Sequence, residues 1–203
     1  MTVEHKAPEK NQAKLTYLLI IASIVITVDA IGWTILNIVI KDWLHAAVDA
    51  MLMVLGYMAY WHSKHNNTKI IARMYFPLLF LMICILCLFF DVPNATVPRS
   101  DHHYFLPIVL YAYVLYQDEH PYLKIAVPIA ISLAFLIFAS THIGINLSQM
   151  TTEQRLSLVW VNNSVALFML FLGALILQSD FKVRHTLELE LSKALLKNEL
   201  KLY

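Results

Sequence analysis

The sequence predicts an all-α membrane protein, a six-helix transmembrane bundle that continues into a C-terminal cytoplasmic signalling helix or coiled coil. Hydrophobic residues make up 59% of the 203 residues and charged residues only 14%, whereas a soluble domain carries about 25% charged residues. The apolar residues also fall in long blocks, and a block of about 20 residues crosses a bilayer as a helix. The net charge of +1 comes from dispersed residues and gives no reason to expect nucleic acid as a partner.

Six apolar blocks predict the six spans. The first is interrupted by Asp29, the third is the most uniformly apolar, and the fourth is short, contains Pro107 and carries four tyrosines. The domain boundaries that follow are a cytoplasmic tail at 1–14, the sensor bundle at 15–178 and the signalling helix at 179–203. In chain order the blocks are residues 15–40, 43–61, 70–90, 104–116, 123–145 and 156–177.

The fourth block has an alternative interpretation as an interfacial segment, which would leave five spans and place the termini on opposite sides. The basic residues favour six. With six spans, twelve of the fifteen lysines and arginines lie on one side, and the positive-inside rule then makes both termini cytoplasmic in a bacterial inner membrane. The three on the other side are Lys41, Arg99 and Arg155. The start of the sixth span is marked by Thr152, which precedes Glu153 and an apolar run as a helix-capping residue does.

Histidines and one aspartate from three spans are predicted to converge in the outer half of the bundle. His45 and Asp49 lie one turn apart on the second span, so they share a helix face. His102 and His103 stand at the outer start of the fourth span, and His142 lies at the outer end of the fifth. Because ionisable residues at membrane depth are costly, such a group is a candidate functional site.

Two cofactors suit these residues. Imidazole and carboxylate ligands together bind zinc, copper or iron, and two histidines from different helices bind haem b axially. Each histidine also has a plain alternative, as a solvated side chain, a helix cap or an anchor at the headgroup level.

A second candidate site is a ligand pocket. Asp29 lies near the middle of the first span and should face the bundle interior, with Thr27, Asn162 and Asn163 as candidate partners. The tyrosines of the fourth span, among them Tyr104 and Tyr111, are expected to line a pocket for a lipid-like ligand.

The C-terminal 25 residues continue the sixth span as a helix of strong helix formers with charges of mixed sign. Leu189, Leu196 and Tyr203 repeat every seven residues, and a competing stripe contains Leu187, Leu191 and Leu195. Either stripe fits the seam of a homodimeric coiled coil. The alternative is an amphipathic helix on the inner leaflet.

The polar start, the six short-looped spans and the final helix at 180–203 resemble the six-span sensory domains of bacterial signalling proteins. These include the membrane-associated sensors of diguanylate and adenylate cyclases and the receptors of autoinducer-sensing histidine kinases. The resemblance implies a homodimeric receptor that controls a cyclase or kinase output, which this chain lacks. No catalytic motif is evident, so we expect a sensor rather than an enzyme. The alternatives are a haem- or metal-binding membrane enzyme or electron carrier and, less favoured, a transporter.

Overall fold

The structure, a computed structural model, describes residues 6–65, 67–117 and 119–199. Every regular element in these ranges is helical. Five helical stretches are long and apolar enough to cross a membrane, and they confirm the all-α membrane character that composition predicts. They are Leu19–Val39, Trp43–Lys64, Ile71–Phe89, Pro121–Ser140 and Thr152–Lys197.

The first two helices, α1 (Lys6–Val39) and α2 (Trp43–Lys64), form an antiparallel hairpin. The turn between them is tight because Lys41 takes the left-handed conformation, with φ of 64°. Asp42 then caps α2 by accepting a hydrogen bond from the backbone N–H of His45. The two helices approach closely where Gly56 faces Thr27.

The third helix contains a wide π-turn. It begins as α3 (Thr68–Ile70), passes through π-helical residues Ile71–Tyr75 and continues as α4 (Phe76–Phe89). Pro77 lies just after the wide turn, and proline cannot donate the hydrogen bond that a regular helix needs there. In the π-turn the Phe76 N–H bonds to the Ile71 carbonyl, which frees the Ala72 carbonyl to accept from the Tyr116 hydroxyl.

The fourth predicted span is a short 3₁₀ turn (Asp101–Tyr104) followed by α5 (Phe105–Leu115). Eleven residues rise only about 16 Å, half of a bilayer's hydrocarbon core. The flanking residues extend the segment, because the Ser100 and Asp101 N–H groups bond to Asp91 beyond one end of α4. At the opposite end of α4, Glu119 pairs with Arg73 at 3.0 Å. Residues 100–117, together with Glu119, therefore run alongside the whole of the third helix.

Helix α6 (Pro121–Ser140) is followed by an extended segment and then by α7 (Thr152–Glu199), which is 48 residues long. Thr151 and Gln154 form a reciprocal capping box at the start of α7. The capping residue is therefore Thr151, one position before the predicted Thr152, because the Thr151 hydroxyl meets the N–H three residues on. No break in α7 marks the predicted boundary between 178 and 179.

The two ends of the bundle differ in construction. At the Asp42 end, the α1–α2 turn, residues 90–100 and residues 141–151 pack together, and Asp42 accepts hydrogen bonds from Ser148 and Gln149. At the Arg73 end lie the α2–α3 and α5–α6 connections.

The outer faces of the helices are apolar. Ile35, Met51, Leu133 and Phe171 are each more than half exposed, as expected for side chains that lie against lipid rather than water. The interior is filled by a cluster that includes Phe76, Phe105, Ile131 and Ile176. Apolar side chains thus occupy both the core and the periphery, which is the arrangement of a membrane bundle.

Candidate functional site

A cavity of about 160 Å³ lies in the centre of the bundle. Along α2 its wall extends from His45 to Ser63, a distance of about 27 Å. The lining residues of each contributing helix are three or four positions apart, so each helix presents one face to the cavity. The α2 face contains His45, Asp49, Leu52, Gly56, Ala59 and Ser63, and the α7 face contains Arg155, Leu158, Asn162, Val165 and Met169. Helices α1, α4 and α5 contribute similar faces.

The polar part of the cavity wall is at the Asp42 end. Four carboxylates line it, Asp29, Asp49, Asp91 and Asp101, together with His45 and Arg155. Towards the Arg73 end the wall is formed mainly by aliphatic and aromatic side chains, such as Leu79, Ile108 and Met169. The cavity is therefore amphipathic along its length.

Asp91 is the best-satisfied carboxylate of the group. Its Oδ2 accepts from the backbone N–H groups of Ser100 and Asp101, and its Oδ1 lies 3.5 Å from the Arg155 guanidinium. Arg155 also donates to the Val92 carbonyl at 2.6 Å. These contacts attach the start of α7 to the end of α4. Burial nevertheless raises the pKa of Asp91 above its usual range, and the two N–H donors and Arg155 oppose that rise.

Asp101 is buried, and among the described residues no lysine or arginine lies within 4.0 Å of it. Its Oδ1 accepts from the Asn162 side-chain amide at 2.6 Å, and the same amide donates to the Ser100 hydroxyl at 2.9 Å. Burial raises the pKa of Asp101 well above its usual range, and the carboxylates of Asp91, Asp49 and Asp29 raise it further.

His45 and Asp49 both face the cavity. The Asp49 Oδ2 accepts from the Asn37 amide at 2.7 Å, and the His45 Nε2 lies 4.0 Å from the same oxygen. The His45 Nδ1 is 3.7 Å from Asp42, beyond hydrogen-bond range, and has no hydrogen-bond partner among the described residues. The His45 ring stacks on Phe90, with ring centroids 4.5 Å apart.

The three residues predicted for a ligand pocket, Asp29, Tyr104 and Tyr111, all line this cavity. The Tyr104 hydroxyl lies 3.4 Å from Asp29. The Tyr111 hydroxyl is buried and has no hydrogen-bond partner in the part of the chain that the structure describes.

The prediction that Thr27, Asn162 or Asn163 is the hydrogen-bond partner of Asp29 is wrong. Thr27 donates to the Ser23 carbonyl, Asn162 to Ser100 and Asp101, and Asn163 bonds to His103. Both asparagines of α7 face the turn at residues 100–103 and not Asp29.

The predicted metal-ligand residues are divided by the fold. His45 and Asp49 share the cavity wall, whereas His102, His103 and His142 do not contribute to it. His102 packs against Phe135, and burial lowers its pKa to about 4. The His103 Nδ1 is 2.7 Å from Asn163, and His142 is exposed in the α6–α7 connection. Within the ranges that the structure describes, no three His, Cys, Asp or Glu residues are arranged to hold a metal ion.

Sequence reasoning did not place Asp91, Asp101 and Arg155 at the site. Asp91 and Asp101 look like solvated loop residues, but an Asx turn at Asn94 folds the loop back, and Arg99 anchors it. The Arg99 guanidinium donates to the carbonyls of Asp91, Phe138, Thr141 and Ile143. The seven-residue spacing of Arg155 and Asn162 is the one sequence signal that could have identified a polar face on α7.

Comparison of the chain with protein-family models, with curated proteins and with solved structures finds no match.

Proposed function

We propose that the chain is a membrane sensory domain, in which a ligand in the central cavity alters helix α7 and α7 carries that change to a cytoplasmic output. The output would be a cyclase or a kinase. Three features of the structure support this role: the cavity, the continuity of α7 and the exposed leucines at the far end of α7.

The single observation that carries the proposal is the course of α7. Its first part supplies Arg155, Asn162 and Met169 to the cavity wall, and the same helix continues without interruption to Glu199. Its 48 residues extend about 72 Å, more than twice the hydrocarbon core of a bilayer. A ligand that contacts α7 inside the bundle therefore contacts an element that also extends far outside it.

The membrane topology that suits this role has six crossings and cytoplasmic termini. It is supported by the positions of residues 100–117 and of Glu119, because Asp101 and Glu119 meet the two ends of the third helix. In this topology the Asp42 end is outside and the basic Arg73 end is inside, in accord with the positive-inside rule. Trp43 and Trp61, both largely exposed at opposite ends of α2, then lie at the two interfaces.

The far part of α7 is suited to pairing with a second copy. Leu187, Leu189, Leu191, Leu195 and Leu196 are each at least 41% exposed. An isolated helix of this length is marginal in water, and burial of leucines against a second helix stabilises it. We propose that two chains form a parallel coiled coil here and that the coiled coil transmits the signal.

A fusion protein tests the sensor. A cyclase catalytic domain is joined after Tyr203 and its activity is measured in membranes. Met169 is 5% exposed and lines the cavity, whereas its neighbour Phe168 is 53% exposed on the lipid side. We expect Met169→Trp to fill the cavity and change cyclase output several-fold, and Phe168→Trp to leave it unchanged. Equal effects of the two variants would contradict the proposal.

Cysteine cross-linking tests the dimer. We expect Leu189→Cys or Leu196→Cys to form disulfide-linked dimers in membranes under mild oxidation, and Lys193→Cys to do so less efficiently. A monomer in lipid nanodiscs, with no cross-linking at any of the three positions, would exclude the coiled coil.

A haem or metal occupant remains the alternative that the histidine content raises. The absorbance spectrum and metal content of purified protein decide it. A Soret band would show that the bound group is haem. Zinc, copper or iron at one equivalent per chain that is lost in His45→Ala would show that it is a metal ion.

A further inference from the structure

Acidic side chains outnumber basic side chains in the cavity wall. Asp29, Asp49 and Asp101 line its wall, and within the described residues none has a lysine or arginine within 4.0 Å. The His45 ring lies 4.0 Å from Asp49 and 3.7 Å from Asp42, and it carries a positive charge only when it is protonated. Three carboxylates in a site of low dielectric must be either protonated or matched by positive charge from outside the chain.

Arg155 acts on Asp101 electrostatically, but it is not within 4.0 Å of any of the three carboxylates. Its guanidinium is already directed at Asp91 and at the Val92 carbonyl. Arg99 is likewise directed at four backbone carbonyls. An anionic head group would therefore meet three carboxylates that have no lysine or arginine within 4.0 Å among the described residues, so the electrostatics of the cavity disfavour an anion.

A second, independent observation indicates a ligand. Tyr111 is only 7% exposed, lines the cavity and has a hydroxyl that bonds to none of the described residues. Buried hydroxyls in native proteins nearly always have a partner, from the protein or from a bound molecule. Trp33 and Tyr104 also line the cavity near Asp29. Carboxylates combined with aromatic rings are the groups that proteins use to bind organic ammonium ions.

We infer that the cavity binds a small organic ammonium ion, with its charged group among Asp29, Asp49 and Asp101 and its apolar part directed towards Tyr111. The inference rests on the proposed sensory function and names its ligand class. The cavity volume of about 160 Å³ is close to that of apolar protein cavities that hold one benzene ring. The ligand therefore has an apolar part of about the size of one ring.

The test uses three probes of nearly equal size and different charge: 2-phenylethylammonium, 2-phenylethanol and 3-phenylpropanoate. The full chain is placed in nanodiscs of zwitterionic lipid. Trp33 reports binding after the other three tryptophans, Trp43, Trp61 and Trp160, are replaced by phenylalanine. All three are exposed, so their replacement should leave the bundle intact.

We expect saturable Trp33 fluorescence changes with the ammonium at a Kd at least tenfold below that of the alcohol, or about 1.4 kcal/mol. The carboxylate should not bind. Asp49→Asn and Asp101→Asn should each weaken ammonium binding about tenfold and leave alcohol binding unchanged. The control is Asp180→Asn, because Asp180 is also buried but lies outside the cavity wall and pairs with Arg184 at 2.9 Å. It should change neither affinity.

Equal affinity for ammonium and alcohol would overturn the ligand class, because it would mean that protons alone neutralise the carboxylates. Tighter binding of the carboxylate would overturn it as well. The sensory function fails separately: if the ammonium binds as expected but does not change the output of the cyclase fusion, the ligand class stands and the transmission through α7 falls.

Discussion

Two glycines in the first helical hairpin provide a matched test of the packing that shapes the cavity. Gly56 lies on α2 where α1 crosses closely, and a Cβ atom there would lie 2.5 Å from the Thr27 hydroxyl oxygen and 3.1 Å from the Thr27 nitrogen. Gly32 lies on α1, and a Cβ there would meet nothing within 4 Å. Both glycines are helical, so replacement by alanine has the same intrinsic benefit of about 0.5–1 kcal/mol at each site.

The difference between Gly56→Ala and Gly32→Ala therefore isolates the steric cost. Thr27 cannot move its hydroxyl freely, because that hydroxyl donates to the Ser23 carbonyl at 2.7 Å. The helices must separate instead, and overpacking of this kind costs about 1–3 kcal/mol. We expect Gly56→Ala to be less stable than Gly32→Ala by that amount.

The assay is reversible unfolding of purified protein in mixed detergent micelles, followed by circular dichroism and tryptophan fluorescence. In a Thr27→Ala background, Gly56→Ala should cost at least about 0.5 kcal/mol less than in the wild type, since contacting residues are energetically coupled. If Gly56→Ala and Gly32→Ala have the same stability, or if Thr27→Ala gives no relief, the close approach of α1 and α2 at this point is refuted.

Three further predictions concern buried polar groups. Tyr116→Phe should destabilise the bundle by about 1–3 kcal/mol, because it leaves the Ala72 carbonyl of the π-turn without a donor; the same measurement on Tyr122→Phe, which is 78% exposed, should show no change. Arg99→Lys should also destabilise by about 1–3 kcal/mol, since an ammonium cannot reach all four carbonyls, whereas Arg73→Lys on the surface should cost much less. The pKa of Asp101 is higher in the folded protein than its ordinary value of 3.8, so its contribution to stability is fully present below pH 3.8 and is lost as pH rises towards the folded value. Asp101→Asn should therefore flatten the decline in the free energy of unfolding above pH 4, and an unchanged pH profile would contradict the assigned burial.

Much of the fold follows from the sequence because a bilayer imposes a simple rule. An apolar block of about 20 residues in a bilayer must form its backbone hydrogen bonds within itself, as a helix. The second and third predicted blocks do so as Trp43–Lys64 and Phe76–Phe89. The fourth block was harder to interpret for a physical reason. Its helix is only Phe105–Leu115, and it reaches both ends of α4 through its flanks, which are held by Asp91 and Arg73.

The candidate site was only partly predictable. Helical spacing was sufficient to place His45 and Asp49 on one face, and cost at membrane depth was sufficient to direct Asp29 inwards. Spacing gives no information about how a loop folds, so the burial of Asp91 and Asp101 could not be predicted. The histidines illustrate the same limit: His142 was expected at the outer end of the fifth span, but the chain leaves α6 there as an exposed segment.

The uninterrupted course of α7 also has a mechanical consequence. A continuous helix moves as a rigid rod. The part of α7 from the buried Asp180 to Glu199 is about 28 Å long. A tilt of about 5°, produced by a rearrangement of side chains around a ligand, would displace the far end by roughly 2–3 Å. That displacement is a substantial fraction of the spacing between neighbouring side chains in a coiled coil. Small changes in the cavity would thus be amplified at the far end of the helix.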